Sequence, residues 1–117
     1  MAEGGRIINL SSSTTARFMP TYGAYVAAKG AVEQLTRAMA KELGSRGITI
    51  NAISSGPTET ELFVTGKTPE QLQQFGQMSA FGRIGKPTEI AEVVAFLASD
   101  AARWISGQNI RVNGGLA

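Results

Sequence analysis

The chain has 117 residues, a formal net charge of +2, and neither histidine nor cysteine. Those two absences remove Ser-His and Cys-His nucleophile systems, zinc sites built on imidazole or thiolate, and disulfides. A composition of 43% hydrophobic and 17% charged residues is that of one folded globular domain, with a core of its own, rather than of a disordered chain. The small charge and scattered basic residues give no nucleic-acid footprint. No apolar run is long enough to span a bilayer, and the first residues, Met-Ala-Glu-Gly-Gly-Arg, contain no apolar signal region. The expectation is a cytoplasmic protein without a metal site, whose proton chemistry rests on Tyr, Lys, Asp and Glu.

The apolar run Arg6-Ile7-Ile8-Asn9-Leu10, bounded by glycine and serine, predicts a strand over 6–11 buried on both faces. Residues 12–21 form a loop in which Phe18, Met19 and Tyr22, near Pro20, read as packing residues. A helix runs from about Thr21 to Leu43 and stops at Gly44, a residue type suited to the position after a helix. Ala28, Val32, Leu35, Met39 and Leu43 make its apolar stripe, and Glu33, Arg37 and Lys41 make a solvated charged face. The small residues Gly23-Ala24, Ala27-Ala28 and Gly30-Ala31 allow another helix to come close.

A second strand is predicted over 48–54. The polar turn Ser55-Gly56-Pro57-Thr58-Glu59-Thr60 follows at its carboxyl end, the side on which open α/β sheets bind ligands. Residues 61–86 are less regular, apart from a helix start with Thr68 as cap and Pro69 at the first position. Leu72, Phe75, Gln77 and Met78 give that helix a weak apolar face. Gly66-Lys67-Thr68 matches the end of a phosphate-binding P-loop, but Glu61 stands where the loop needs its first glycine and no strand leads in. Pro87 opens the last helix, with Glu89 in its first turn and Ile90, Val93, Val94 and Leu97 as its buried stripe. Trp104 is expected to pack in the turn before a final strand over 109–113. The order β, α, β, α, α, β predicts parallel strands joined by right-handed crossovers.

Tyr25 and Lys29 are four apart and share one helix face. A phenol is a poor base at neutral pH, and a neighbouring ammonium favours its ionised form. Ser12, thirteen residues before Tyr25 and at the end of a strand, offers a hydroxyl that can polarise a carbonyl or alcohol oxygen. Singly, the pair reads as an exposed aromatic beside a solvated cation, and the serine as a turn residue. Their conjunction, in a chain without histidine or cysteine, makes Tyr25 with Lys29 its most plausible acid–base pair.

Ser12, Tyr25 and Lys29 at this spacing resemble the catalytic serine and Tyr-x-x-x-Lys signature of the short-chain dehydrogenase/reductase family, classical type. The likeness extends through Gly5 to Ser12, Gly47 to Ile53, Gly82 to Pro87, Phe96 to Asp100 and Gly107 to Gly115. It covers essentially the whole chain, and only the carboxyl-terminal half of that family's domain. The resemblance implies an α/β fold: the carboxyl-terminal part of a Rossmann-like doubly wound parallel sheet, with three neighbouring parallel strands and flanking helices. It implies hydride transfer between NAD or NADP and a small-molecule carbonyl or secondary alcohol. Tyr25 would be general acid or base, Lys29 would assist it and hold the nicotinamide ribose, and Ser12 would bind the substrate oxygen. The family's Pro-Gly-x-x-x-Thr turn is matched by Gly56 and Thr60, with Ser55 in place of the proline. By resemblance Gly56, the Thr58 backbone and Thr60 join Tyr25 and Lys29 in holding the cofactor, residues around Phe18 to Tyr22 lie near the substrate, and a mobile lid covers it.

In that family the helix over 21–43 packs against its symmetry mate, which implies a homo-oligomer. No Gly-x-Gly-x-x-Gly fingerprint occurs here. Residues 1–117 are therefore expected to be the carboxyl-terminal portion of a single NAD(P)-binding domain, with its cofactor-binding amino-terminal half absent. The alternative is a truncated, non-catalytic chain that acts only as an association module.

Overall fold

The computed structural model describes residues 1–117. Three parallel strands, β1 (Arg6–Ser12), β2 (Thr49–Ser55) and β3 (Asn109–Val112), form a sheet in that order. Four helices accompany them: α1 (Gly23–Leu43), α2 (Glu61–Val64), α3 (Pro69–Gln77) and α4 (Pro87–Ala98). Short 3-10 turns at Ser13–Thr15, Gly44–Arg46 and Asp100–Ala102 follow β1, α1 and α4. The expected α/β fold and parallel strands are present; the single turn of α2 is an element the apolar pattern did not predict.

In a parallel pair the partnered residues share a face, so the register sorts the strands into two layers. Ile8 lies level with Asn51, Leu10 with Ile53, and Ile53 with Ile110. This face packs on α4, where Ile53, Leu97 and Ala102 are fully buried, with Ile8, Ile90, Val93, Val94, Ile110 and Val112 around them. Burying one such isoleucine or leucine contributes about 1.5–3 kcal/mol over leaving it exposed. β2, central and buried along nearly its whole length, contributes Ile53 to this core. Covered on both faces, it buries the polar Thr49, Asn51 and Ser54 beside Ile50, Ala52 and Ile53.

The opposite face, with Asn9, Ser11, Ala52 and Ser54, meets α1, and this contact departs from the expected pattern. Within the supposed apolar stripe Val32, Met39 and Leu43 are half-buried, but Ala28 and Leu35 are exposed. Thr36 is the one fully buried residue of α1, bonded to Asn9 Nδ2 at 3.1 Å. Toward the carboxyl end of this face the strand residues are Asn9, Ser11 and Ser54, so α1 turns Thr36 and Glu33 down there and leaves Ala28 and Leu35 uncovered, while Ile50 and Ala52 stay buried on the same face. Glu33, expected on a solvated face, points inward for the same reason, while Arg37 and Lys41 are exposed as expected.

Helix ends follow local chemistry. The start of α1 shifts to Gly23 because Thr21 takes a left-handed conformation (φ 71°), which helical backbone excludes. Its end at Leu43 is as expected, yet Gly44 is right-handed (φ −59°) and continues into a 3-10 turn. Gly47, at φ 65°, is the residue that reverses the chain into β2. Thr68 and Gln71 cap the start of α3 reciprocally, with Pro69 behind the cap. Trp104 is not packed but 97% exposed. In its turn Ala102 and Ile105, three residues apart, take the core-facing positions and leave the indole outside.

Glu89 holds the start of α4. Its carboxylate accepts from both guanidinium nitrogens of Arg83, at 2.7 and 2.9 Å, and from the Lys86 N–H at 2.7 Å. The hydrogen bond from Arg83, then that from Lys86, lowers the carboxyl pKa to about 2, and Arg83 is raised in turn. A carboxyl held down in the folded state stabilises it above its unfolded pKa, near 4.5, and that stability is lost as pH falls through about 2. Glu89→Gln is therefore expected to remove one component of acid sensitivity. Denaturant titrations between pH 5 and pH 2 should show a shallower fall for the variant, and parallel curves would contradict this.

Candidate active site

A cavity of about 430 Å³ opens at the carboxyl ends of β1 and β2. The serine turn after β1, the start of α1, the turn after β2 and the α2–α3 segment build its walls. Of the residues singled out from sequence, Ser12, Tyr25, Gly56, Thr58 and Thr60 line it together. Lys29 does not. Its ammonium donates to the Leu10 carbonyl at 3.0 Å, one helix turn beneath Tyr25, and lies 5.8 Å from the centre of the tyrosine ring.

Each lining group has a local reason for its position. Ser12 is the last residue of β1 and caps the following turn, its oxygen accepting from Thr14 N–H at 3.2 Å and from Thr14 Oγ1 at 2.9 Å. Those contacts occupy the lone pairs and leave the Ser12 hydroxyl proton without an acceptor in the chain. Tyr25, 45% exposed, makes an edge-to-face contact with Tyr22 at 6.1 Å, and its hydroxyl bonds to no protein group. Gly56 has no room for a side chain: a Cβ would lie 2.9 Å from that of Asn113. That close approach ties the turn after β2 to the end of β3. Thr58 turns its hydroxyl back to the Gly56 carbonyl at 2.8 Å, and its own N–H has no partner within the chain. Thr60 caps α2, accepting from Phe63 N–H at 3.2 Å.

The cavity thus collects three donors without acceptors, from Ser12, Tyr25 and Thr58, on its polar side. Such groups are costly to bury and are satisfied by water or by a ligand. Met19, Tyr22, Leu62, Phe63, Phe75 and Met78 supply the apolar part of the lining. Met19 and Tyr22 are therefore cavity residues; Phe18, also read as packing, is 79% exposed. Sequence reasoning missed Phe63, whose ring meets that of Phe75 edge-to-face at 5.2 Å, because α2 is too short to carry a helical period. It also missed Lys67 as a lining residue, with an ammonium 4.1 Å from the Phe63 ring centre. The Gly-Lys-Thr pattern, set aside as a P-loop for want of its first glycine and a leading strand, puts its lysine against two aromatic rings. No cluster of potential metal ligands occurs, and no helix is long and apolar enough to cross a membrane.

A family model described as enoyl-(acyl carrier protein) reductase matches residues 1–117. A short-chain type dehydrogenase/reductase of Picea abies is 47% identical over 112 residues, 96% of this chain and 41% of that protein. The chain belongs to the short-chain dehydrogenase/reductase family. Within the family it is also similar to the NADPH-dependent aldehyde reductase-like protein, chloroplastic, of Arabidopsis thaliana, at 48% identity over 96% of this chain and 42% of that protein. Among solved structures, the angucycline C-6 ketoreductase LanV with bound NADP superposes with a TM-score of 0.91 at 44% identity, covering 99% of this chain and 45% of that one. The three parallel strands and flanking helices are the Rossmann-like arrangement of such neighbours. The chain spans less than half the length of these relatives.

Proposed function

We propose that residues 1–117 are the carboxyl-terminal portion of a single NAD(P)-binding domain that reduces a small-molecule carbonyl or oxidises the corresponding secondary alcohol. The observation that carries this reading is the shared cavity of Ser12 and Tyr25, whose hydroxyls have no acceptor in the chain, with Lys29 one turn below. The names of the relatives above, an NADPH-dependent aldehyde reductase-like protein and an NADP-bound ketoreductase, support it.

The residues present fit the nicotinamide end of the cofactor. The unpartnered Thr58 N–H suits a carboxamide oxygen, and Gly56 lets the backbone of that turn approach. Thr60 and, from α1, Tyr25 line the same cavity, while Lys29 lies one turn below with its ammonium on the Leu10 carbonyl. When bound, such a cofactor donates or accepts the hydride. Ser12 donates its free hydroxyl proton to the substrate oxygen and orients it. Tyr25 gives that oxygen a proton during reduction and takes one during oxidation. Lys29 exchanges its bond to the Leu10 carbonyl for the ribose hydroxyls in this reading. Phe63, Phe75 and Met78, which line the cavity from the α2–α3 segment, would limit water around a bound substrate.

Lys29→Met, made in the full-length protein, tests the cation separately from the phenol. Cofactor affinity should fall, because the ribose hydroxyls lose their ammonium partner. Cofactor binding followed by nicotinamide fluorescence gives the readout. Unchanged affinity would reduce Lys29 to a surface charge.

A further inference from the structure

Under the serine turn lies a polar cluster that the reading above does not use. Glu33 Oε1 is 2.7 Å from Ser11 Oγ, 2.6 Å from Thr15 Oγ1 and 3.2 Å from Ser54 Oγ. Each hydroxyl has one proton to give. Ser54 is closer to Asn109 Oδ1, at 2.8 Å, whereas Ser11 and Thr15 have their shortest contacts with Glu33. The carboxylate therefore receives two short, charge-assisted bonds, from the residue just before Ser12 and from a residue three after it.

From this geometry we propose that Glu33 is a positioning residue: it locks the helix that carries Tyr25 to the turn that carries Ser12, and so fixes the distance between the two reacting hydroxyls. It touches neither substrate nor cofactor. Glu33 follows Lys29 by one helix turn, and the two grip consecutive residues of β1, Lys29 at the Leu10 carbonyl and Glu33 at the Ser11 hydroxyl. Apolar packing alone resists separation of a helix from a sheet but only weakly resists sliding along a strand. Here that packing involves Ile50 and Ala52 of β2 against half-buried side chains of α1. Directional bonds at two successive turns add the resistance to sliding. A continuous helix then transmits that register to Tyr25, two turns before Glu33.

The inference rests on the proposed roles of Ser12 and Tyr25, and it is tested in the full-length protein with Glu33→Leu and Glu33→Gln. Glu33→Leu removes both bonds at similar volume and should lower kcat by about 10²-fold, the cost of a misplacement near 1 Å. The cofactor dissociation constant should hold within about threefold, because only the alignment of the two hydroxyls is lost. Glu33→Gln keeps an acceptor oxygen and should recover most of the kcat. If Glu33→Leu does not fold, Ser11→Ala with Thr15→Val removes the same bonds from the other side and should lower kcat with cofactor affinity retained. A folded Glu33→Leu, or that double variant, with kcat within about twofold of the parent would overturn the inference, whatever its melting temperature. So would a Gln variant as impaired as the Leu variant. If Tyr25→Phe also keeps full turnover, the catalytic reading itself has failed; an inactive Tyr25→Phe beside an unimpaired Glu33→Leu overturns only the role of Glu33.

Discussion

In the full-length protein, Tyr25→Phe is expected to lower turnover by about two powers of ten or more, the usual scale of general acid–base catalysis. The substitution deletes one oxygen and leaves the ring. The edge-to-face contact with Tyr22 survives, and Tyr25 is 45% exposed with a hydroxyl that bonds to no protein group, so no buried partner is orphaned. Folding stability should therefore stay nearly constant while kcat falls. Cofactor affinity should change far less than turnover, because Lys29 and the turn at Gly56 to Thr60 remain. Steady-state rates, a melting curve and a cofactor titration on the same preparation separate these effects. Near-normal turnover by a folded Tyr25→Phe would refute the proposed acid–base role.

The parts of this site that could be read from sequence are those fixed by strong local rules. β2 was legible because an uncharged stretch with two isoleucines is buried along nearly its whole length. The starts of α3 and α4 were legible because Pro69, Pro87, Thr68 and Glu89 act within one turn. What escaped depends on partners distant in sequence. Glu33 looked solvated because its spacing to Arg37 and Lys41 is that of an exposed helix face. Only the pairing of β1 with β2, which brings Ser11 level with Ser54, creates the hydroxyl cluster that draws it inward. Trp104 failed for the opposite reason: a large apolar residue implies burial only if some surface is present to bury it. Phe63 and Lys67 were invisible as cavity residues because their places follow from the single turn of α2 and the contact between Phe63 and Phe75, neither of which leaves a period in the sequence.

Produced alone, the 117-residue chain is expected to associate with itself and to bind NADP with an affinity far weaker than micromolar. Its accessible surface is 7257 Å², whereas a compact monomer of 12.3 kDa exposes about 6,100 Å². The radius of gyration, 15.4 Å, likewise exceeds the roughly 13.4 Å of a compact chain this long. The excess area is of the order that one partner contributes to a stable protein interface, about 800 Å². Much of it is apolar: Leu10 is 60% exposed, Leu35 52%, Phe96 46% and Trp104 97%. β1, an edge strand of seven residues paired only with β2, adds a row of unpaired backbone groups beside Leu10. The cofactor expectation has a separate basis. In the proposed reading Gly56, Thr58, Thr60, Tyr25 and Lys29 meet only the nicotinamide end of the cofactor, and no glycine-rich turn in these 117 residues supplies backbone N–H groups at a helix start for a pyrophosphate. Sedimentation velocity over a range of concentrations and calorimetric titration with NADPH test the two halves independently. A monomer that binds NADPH at micromolar concentration would show that residues 1–117 bury their own surface and hold the phosphates without the glycine-rich turn, contrary to both arguments.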